Sequence, residues 1–148
     1  DLGRTGRESR EALDGDDALK ARVEAIRLLA GPLMNLGDVA AKSVPKMTLV
    51  APPTAGGTIA TRSFIPHRCH ASIGVFAAVS VATACVLPGS PTAELAVLPT
   101  DGRFLIEHPT GAAEVLLQRD AAGAVTGAGT LRTARKLFDG RVFPAPVP

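Results

Sequence analysis

Residues 67–88, HRCHASIGVFAAVSVATACVLP, form a long apolar segment that is polar only at its start. Beyond His70 the only ionisable side chain before Glu94 is the thiol of Cys85. A helix that is apolar nearly all round has to be buried nearly all round. We therefore predict a central helix at about residues 68–86, wrapped by a curled sheet, with a polar N-terminus free to meet an anion.

A membrane-spanning helix is the alternative for this segment, because residues 69–87 approach the length of about 20 apolar residues that a span needs. The many Ala, Ser, Thr and Gly residues and the strand-rich flanks favour a helix inside a protein core. On one helix Cys69 and Cys85 would lie about 24 Å apart, too far for a disulfide. We therefore expect a cytoplasmic protein that does not contact membranes.

The flanking sequence predicts one outer helix and several strands around the apolar segment. The outer helix covers about residues 17–30, after a polar lead-in at 1–15, and ends or kinks at Gly31-Pro32. Its apolar face comprises Leu19, Val23, Ile26, Ala30 and Leu33, and its wet side comprises Lys20, Arg22, Glu24 and Arg27. The predicted strands are Lys46–Ala51, Thr58–Ile65, Glu94–Leu98, Arg103–His108, Ala113–Gln118, Ala124–Leu131 and, as a further strand, Thr133–Phe143.

This order of elements predicts an α+β domain, and 148 residues are enough for one domain with a real core. Asp101-Gly102 predicts a hairpin that starts an antiparallel meander of about four strands. The net charge is +2, the basic residues are scattered, and Trp and Tyr are absent. These features give no support to a nucleic-acid partner.

The candidate functional residues lie where the predicted helix begins. The first amides of a helix have no intrahelical partner and favour an anion. They could hold a substrate carboxylate together with Arg68, His70, Ala71, Ser72 and His67; the alternative is that these residues only cap the helix. Cys69 would have its thiol pKa lowered at a helix start and could transfer protons, unless it is simply a buried residue.

No metal site is predicted, because the spacing of His67, Cys69 and His70 matches no closed zinc set. No cofactor-binding motif is predicted either, since GAVTGAGT lacks the helix that a phosphate-binding loop needs. His108, at a strand end before a turn, is either a surface residue or part of the mouth of the site. The run TARK is interpreted as a solvated strand edge.

Four ordered blocks, KMTLVAPP, TRSFIPHRCHASIGVFAAVSVATAC, IEHPTG and LRTARKLFDG, resemble the C-terminal half of the PrpF family. That family includes isomerases of 2-methylaconitate, aconitate and methylitaconate and a tautomerase of 4-oxalomesaconate. The resemblance implies a diaminopimelate-epimerase-like fold, in which two domains each wrap a sheet around a helix and the substrate lies between them. It also implies proton movement within an unsaturated di- or tricarboxylate, with no cofactor.

The resemblance further implies that this chain, residues 1–148, is one domain and lacks the N-terminal domain that carries the Lys and Cys of proton transfer. Arg62, in the second block, joins the substrate-binding candidates. We expect the chain to supply the carboxylate-binding half of the cleft, to need the missing domain as its partner, and to self-associate through the exposed surface. An epimerase or racemase on the same fold and a non-catalytic anion-binding module are the alternatives.

Overall fold

A five-stranded sheet organises residues 2–144, the part of the chain that the computed structural model describes. In chain order the elements are α1 (Arg10–Asp14), α2 (Asp17–Leu33), β1 (Met47–Ala51), β2 (Ile59–Phe64), α3 (Val75–Val86), α4 (Pro91–Leu95), β3 (Arg103–His108), β4 (Gly111–Arg119) and β5 (Val125–Thr130). The strands lie in chain order across the sheet, and α3 and α4 connect β2 to β3. The predicted α+β class is confirmed.

The sheet is mixed, and the prediction of a wholly antiparallel sheet is wrong. Strands β2 and β3 are parallel, with Ile59 opposite Ile106, while the other neighbouring pairs are antiparallel. Parallel strands require a crossover connection, and α3 with α4 supplies it. The meander therefore contains three strands, β3 to β5, rather than four.

Two hydrophobic cores lie on opposite faces of the sheet. Ile59 packs in the core under α3, while Phe64, five residues further along β2, packs in the core formed with α1 and α2. An odd spacing along a strand places two side chains on opposite faces. The sheet is therefore covered by α3 on one face and by α1 and α2 on the other.

Helix α3 begins at Val75, so the predicted start at residue 68 is wrong. The residues before it turn back onto β2 instead: the Ile65 amide donates to the Arg68 carbonyl at 3.0 Å, and the His70 amide donates to the Ser63 carbonyl at 2.7 Å. Cys69 pairs with Phe64 as an isolated antiparallel bridge. These sheet-type hydrogen bonds take the backbone groups that a longer helix would have used.

One face of α3 is buried rather than its whole circumference, so the predicted wrapping on all sides is also wrong. The buried residues, Ala78, Val81, Ala82 and Cys85, follow the three- and four-residue spacing of one helix face. Phe76 is 84% exposed on another side. In the part of the chain that is described, no helix has both the length and the apolarity to cross a membrane.

The predicted strand Glu94–Leu98 is wrong: its first two residues end the short helix α4, and residues 96–98 have no regular secondary structure. The hairpin predicted at Asp101-Gly102 therefore has no first strand. The Ser90 hydroxyl accepts a hydrogen bond from the Thr92 amide at 3.2 Å, and Pro91 occupies the first turn. A Ser cap, Pro at the first helical position and Glu in the first turn are signals of a helix start. This local chemistry outweighs the apolar character of the segment.

Helix α2 is confirmed but extends to Leu33, past Gly31-Pro32, and Asp16 caps its N-terminus with a 2.9 Å bond to the Leu19 amide. The predicted faces of α2 are only partly right: Leu19 and Val23 are buried, but Ile26 and Leu33 are exposed, and Arg27, predicted on the wet side, is 1% exposed. Its guanidinium pairs with Glu24 and donates to three backbone carbonyls of the following loop, those of Val39, Lys42 and Val44. Burial of this residue is stable because its donors are satisfied.

The two ends of the chain also depart from expectation. The lead-in contains α1, which Ser9 caps by accepting from the Ala12 amide. The strand predicted at Thr133–Phe143 is absent from the described residues, and 131–144 have no regular secondary structure. Strand β5 is therefore an edge of the described sheet.

Candidate functional site

The candidate site lies at the carboxyl ends of the two parallel strands, β2 and β3. Because these strands are parallel, their carboxyl ends, Phe64 and His108, lie on the same side of the sheet's hydrogen-bonded ladder, and the crossover helix α3 starts after the first of them. Ligands of open α/β sheets bind on this side for the same geometric reason. The topology thus brings together the segment before α3 and the turn after β3.

The N-terminus of α3 has no side-chain cap. Its N-cap residue is Gly74, and the first intrahelical bond runs from the Ala78 amide to the Gly74 carbonyl at 2.9 Å. The amides of Val75, Phe76 and Ala77 precede that bond and have no side-chain acceptor in the described structure. With the helix dipole they favour an anion at this end.

A cavity of about 430 Å³ lies beside this helix end. Its apolar wall includes Ile73, Val75 and Ala78. Its polar lining comprises Ser72, His108, Glu114, Thr130, Arg132 and Thr133. The Glu114 carboxylate is paired with the guanidinium of Arg103 at 2.6 Å. A guanidinium, several hydroxyls and the uncapped helix end that reaches the cavity at Val75 are suited to a small molecule that carries carboxylates.

Of the predicted residues, Ser72 lines this cavity, while His70 and Ala71 directly precede Ser72 in the chain and do not line the cavity. The Ser72 amide lies 3.3 Å from Nδ1 of His70, whose Nδ1 is also 3.1 Å from the Ser72 carbonyl oxygen. The Ala71 carbonyl accepts from the Thr110 hydroxyl at 2.9 Å. This segment is therefore held against the turn after β3.

His108, for which the sequence left a surface position and the mouth of the site open, lines the cavity, and Arg132 is a lining residue that the sequence analysis missed. Burial lowers the pKa of His108; a hydrogen bond to the Ala71 backbone opposes this, and the charges of Arg62 and His70 add to the lowering. Arg132 directly precedes the TARK run, which the sequence analysis interprets as a solvated strand edge, and Thr133, the first residue of that run, also lines the cavity. Both residues lie in blocks that carry the family resemblance, and that was the available signal.

Arg62 lies beside a second cavity, of about 480 Å³, and not in the first. Its Nε donates to the Glu8 carbonyl and one terminal nitrogen donates to the Thr61 carbonyl, each at 2.9 Å. His108 lines both cavities. Arg62 is thus a neighbour of the site through His108, and part of its guanidinium anchors the N-terminal segment.

His67 and Arg68 belong to the turn that follows β2 and line neither cavity. His67 Nδ1 lies 3.6 Å from Glu24 of α2, and both His67 and Arg68 are exposed. Their role in substrate binding stays a prediction.

Cys69 is not at a helix start, so the reason for expecting a reactive thiol there is wrong. The residue is 2% exposed and packs in the core of α1 and α2. Burial raises the pKa of its thiol, and the carboxylate of Asp14 raises it further. Its part in proton transfer stays a prediction. Cys85 is likewise a free, buried residue, and burial raises the pKa of its thiol to about 11.

The second cavity is floored by a buried carboxylate that is fully engaged by the protein. Glu107 accepts from the amides of Thr54, Ala55 and Gly57, each at 2.8 Å, and from the Thr54 hydroxyl at 3.2 Å. Burial by itself would raise the pKa of Glu107, but these hydrogen bonds outweigh it and the pKa is lowered. Across residues 2–144 no group of three or more His, Cys, Asp and Glu side chains is placed to hold a metal ion.

These features define a class of protein, an α+β domain whose crossover helix opens at an uncapped end onto a polar cavity. The sequence also matches the PrpF protein family over residues 1–145. The chain therefore belongs to the PrpF family, as its sequence blocks predicted.

Three curated relatives illustrate the similarity. The chain is 62% identical over 145 residues to a (4E)-oxalomesaconate Delta-isomerase of a Novosphingobium species, covering 97% of this chain and 41% of that protein. It is 57% identical over 146 residues to a 4-oxalomesaconate tautomerase of Pseudomonas putida, covering 96% and 40%. It is 29% identical over 162 residues to a 2-methyl-aconitate isomerase of Shewanella oneidensis, covering 96% and 41%. The chain thus spans about two fifths of the length of these relatives.

One solved structure supports the fold. The crystal structure of a methylitaconate-delta-isomerase superposes with a TM-score of 0.74 at 16% sequence identity, covering 88% of this chain and 40% of that chain. At this identity the likeness concerns the fold alone.

Proposed function

We propose that this chain supplies the carboxylate-binding half of the cleft in an isomerase or tautomerase of an unsaturated di- or tricarboxylate, of the oxalomesaconate or methylaconitate type. The observation that carries the proposal is the uncapped end of α3, which opens onto a cavity lined by Ser72, His108 and Arg132. The names of the relatives at 62% and 57% identity support the substrate class.

The proposed reaction moves one proton within an allylic system. A base removes a proton from the carbon next to an activating carboxylate or oxo group, the double bond shifts, and an acid returns a proton to another carbon. One C–H bond breaks and one forms, so no redox partner is needed, and we propose that no cofactor takes part. Amides at Val75, Phe76 and Ala77 and the guanidinium of Arg132 would stabilise negative charge that develops on the substrate oxygens.

The proton-transfer groups are proposed to lie in a second domain of a diaminopimelate-epimerase-like protein, which would also be the partner of this chain. The length of the relatives, about two and a half times the matched part, leaves room for such a domain. Within this chain Cys69 is a weaker candidate, because its thiol is buried on the other side of the sheet from the cavity.

A chimera tests the proposal. The segment of the Pseudomonas putida tautomerase that matches this chain is replaced by this chain, and deuterium exchange into oxalomesaconate or trans-aconitate is followed by NMR. We expect exchange in the chimera and a loss of kcat/KM of about 10- to 100-fold in the R132A chimera, because a charge-assisted contact to the substrate is removed.

The matched control is R141A, which removes an arginine from the same exposed tail but not from the cavity. A folded chimera without exchange would contradict the proposed reaction. Equal activities of the R132A and R141A chimeras would contradict the proposed site.

A further inference from the structure

The segment that leads into α3 is held by two side chains of α1. The carboxylate oxygen Oδ1 of Asp14 accepts from the Cys69 amide at 2.6 Å, and Nε of Arg10 donates to the Cys69 carbonyl at 3.3 Å. Residues four apart share one face of a helix, so α1 holds both backbone polar groups of one residue. Neither Arg10 nor Asp14 lines the cavity.

The turn after β3 holds the same segment two residues further on. The hydroxyl of Thr110 donates to the Ala71 carbonyl at 2.9 Å. Nδ1 of His108 lies 3.4 Å from both the amide nitrogen and the hydroxyl oxygen of Thr110 and so orients it. Thr110 is exposed and outside the cavity, so this contact adds no apolar burial.

We propose that Asp14, Arg10 and Thr110 are positioning residues for the anion site, a role that rests on the proposed function above. Together they fix Cys69 and Ala71, and thereby the direction in which the chain enters Gly74 and presents the first amides of α3. Hydrogen bonds to a carboxylate depend steeply on distance and angle. Binding groups therefore have to be held by neighbours that do not themselves touch the ligand.

The proposal is tested with T110V and T110S in the full 148-residue chain. Valine has nearly the shape of threonine but lacks the hydroxyl, whereas serine keeps the hydroxyl. Amide resonances of residues 75–77 are followed by ¹⁵N NMR during titration with trans-aconitate, and unfolding by urea is measured in parallel. We expect Kd to rise about fivefold in T110V, as for the loss of one hydrogen bond, and to return toward the unsubstituted value in T110S.

The control is T126V. It removes an exposed hydroxyl of β5 that donates to the Gln118 carbonyl of β4 at 3.3 Å, away from this segment. D14A and D14N form a second pair, in which asparagine keeps an acceptor for the Cys69 amide.

The outcomes separate the two proposals. An unsubstituted chain without trans-aconitate shifts at 75–77 would overturn the proposed function and the positioning role together. Binding by the unsubstituted chain with an equal Kd in T110V, or with the same change in T126V, would overturn the positioning role alone. A fall in unfolding stability without a change in Kd would show a merely structural contact and would also overturn it.

Discussion

Two groups of backbone amides in this protein converge in the same way but differ in what they meet. In the loop after β1 the amides of Thr54, Ala55 and Gly57 all donate to the carboxylate of Glu107. At the start of α3 the amides of Val75 to Ala77 have no side-chain acceptor. Converging amides attract negative charge in both places. The loop amides bind a carboxylate of the protein itself and so stabilise the fold. The amides of α3 are left available for the carboxylate of a ligand.

The largest effect on stability is expected when the Glu107 carboxylate is removed from the loop after β1. E107A removes the acceptor of three partly buried hydrogen bonds from loop amides and should lower the unfolding free energy by about 3 kcal/mol. E107Q keeps one acceptor oxygen and should cost about half as much. Urea unfolding at pH 7 measures both, with E94Q at an exposed site as the control. A loss in E107A no larger than in E94Q would break the comparison.

Acid should weaken the same loop. The folded pKa of Glu107 lies below its ordinary value of 4.5, so the unfolded chain binds the proton more readily. This contribution to stability is therefore present above pH 4.5 and is lost as the pH falls through the lower folded pKa. We expect the unfolding free energy, measured from pH 7 to pH 3, to fall less steeply in E107Q. Parallel curves for the two proteins would show that another carboxylate dominates.

The smallest effect on stability is expected at the N-terminus of α3, where the substitution G74D would supply a carboxylate as the helix cap. Gly74 has φ −73° and its Cβ position is 3.7 Å from Nζ of Lys46, so a side chain fits there. An Asp cap should raise the unfolding free energy by about 0.5 kcal/mol and abolish the trans-aconitate shifts at residues 75–77. G74A, which adds Cβ without an acceptor, is the matched control. Undiminished binding in G74D would mean that the ligand sits elsewhere.

The sequence was sufficient for elements whose evidence is local. Alternating strands such as Arg103–His108 and the Asp16-capped outer helix were predicted within a few residues, because side-chain periodicity and capping act over one or two turns. Ser90-Pro91 also carried a local helix signal, but the apolar run after it was given more weight. The family was recognised from ordered blocks of sequence rather than from periodicity.

The site could be predicted only in part, because its contacts join distant residues. Nothing near Glu107 in sequence shows that its partners lie 50 to 53 residues earlier. The helix start was misplaced because the backbone of Cys69 and His70 is used by β2 and by Asp14, which no local pattern reveals. The apolar side of α3 was overestimated for a similar reason, since burial depends on how many layers the topology supplies.

Strand β3 ends with two neighbouring residues that serve different parts of the molecule. Glu107 secures the loop on one face of the sheet, and His108 reaches the cavity beside α3. Adjacent residues of a strand project to opposite faces, so a slip of one position exchanges them. A single-residue deletion in β3 would therefore move the carboxylate of Glu107 toward the proposed anion site and remove it from the amides of the loop after β1. Such a deletion would weaken the binding of a carboxylate and lower the stability of the fold at the same time. The length of this strand is therefore tightly constrained.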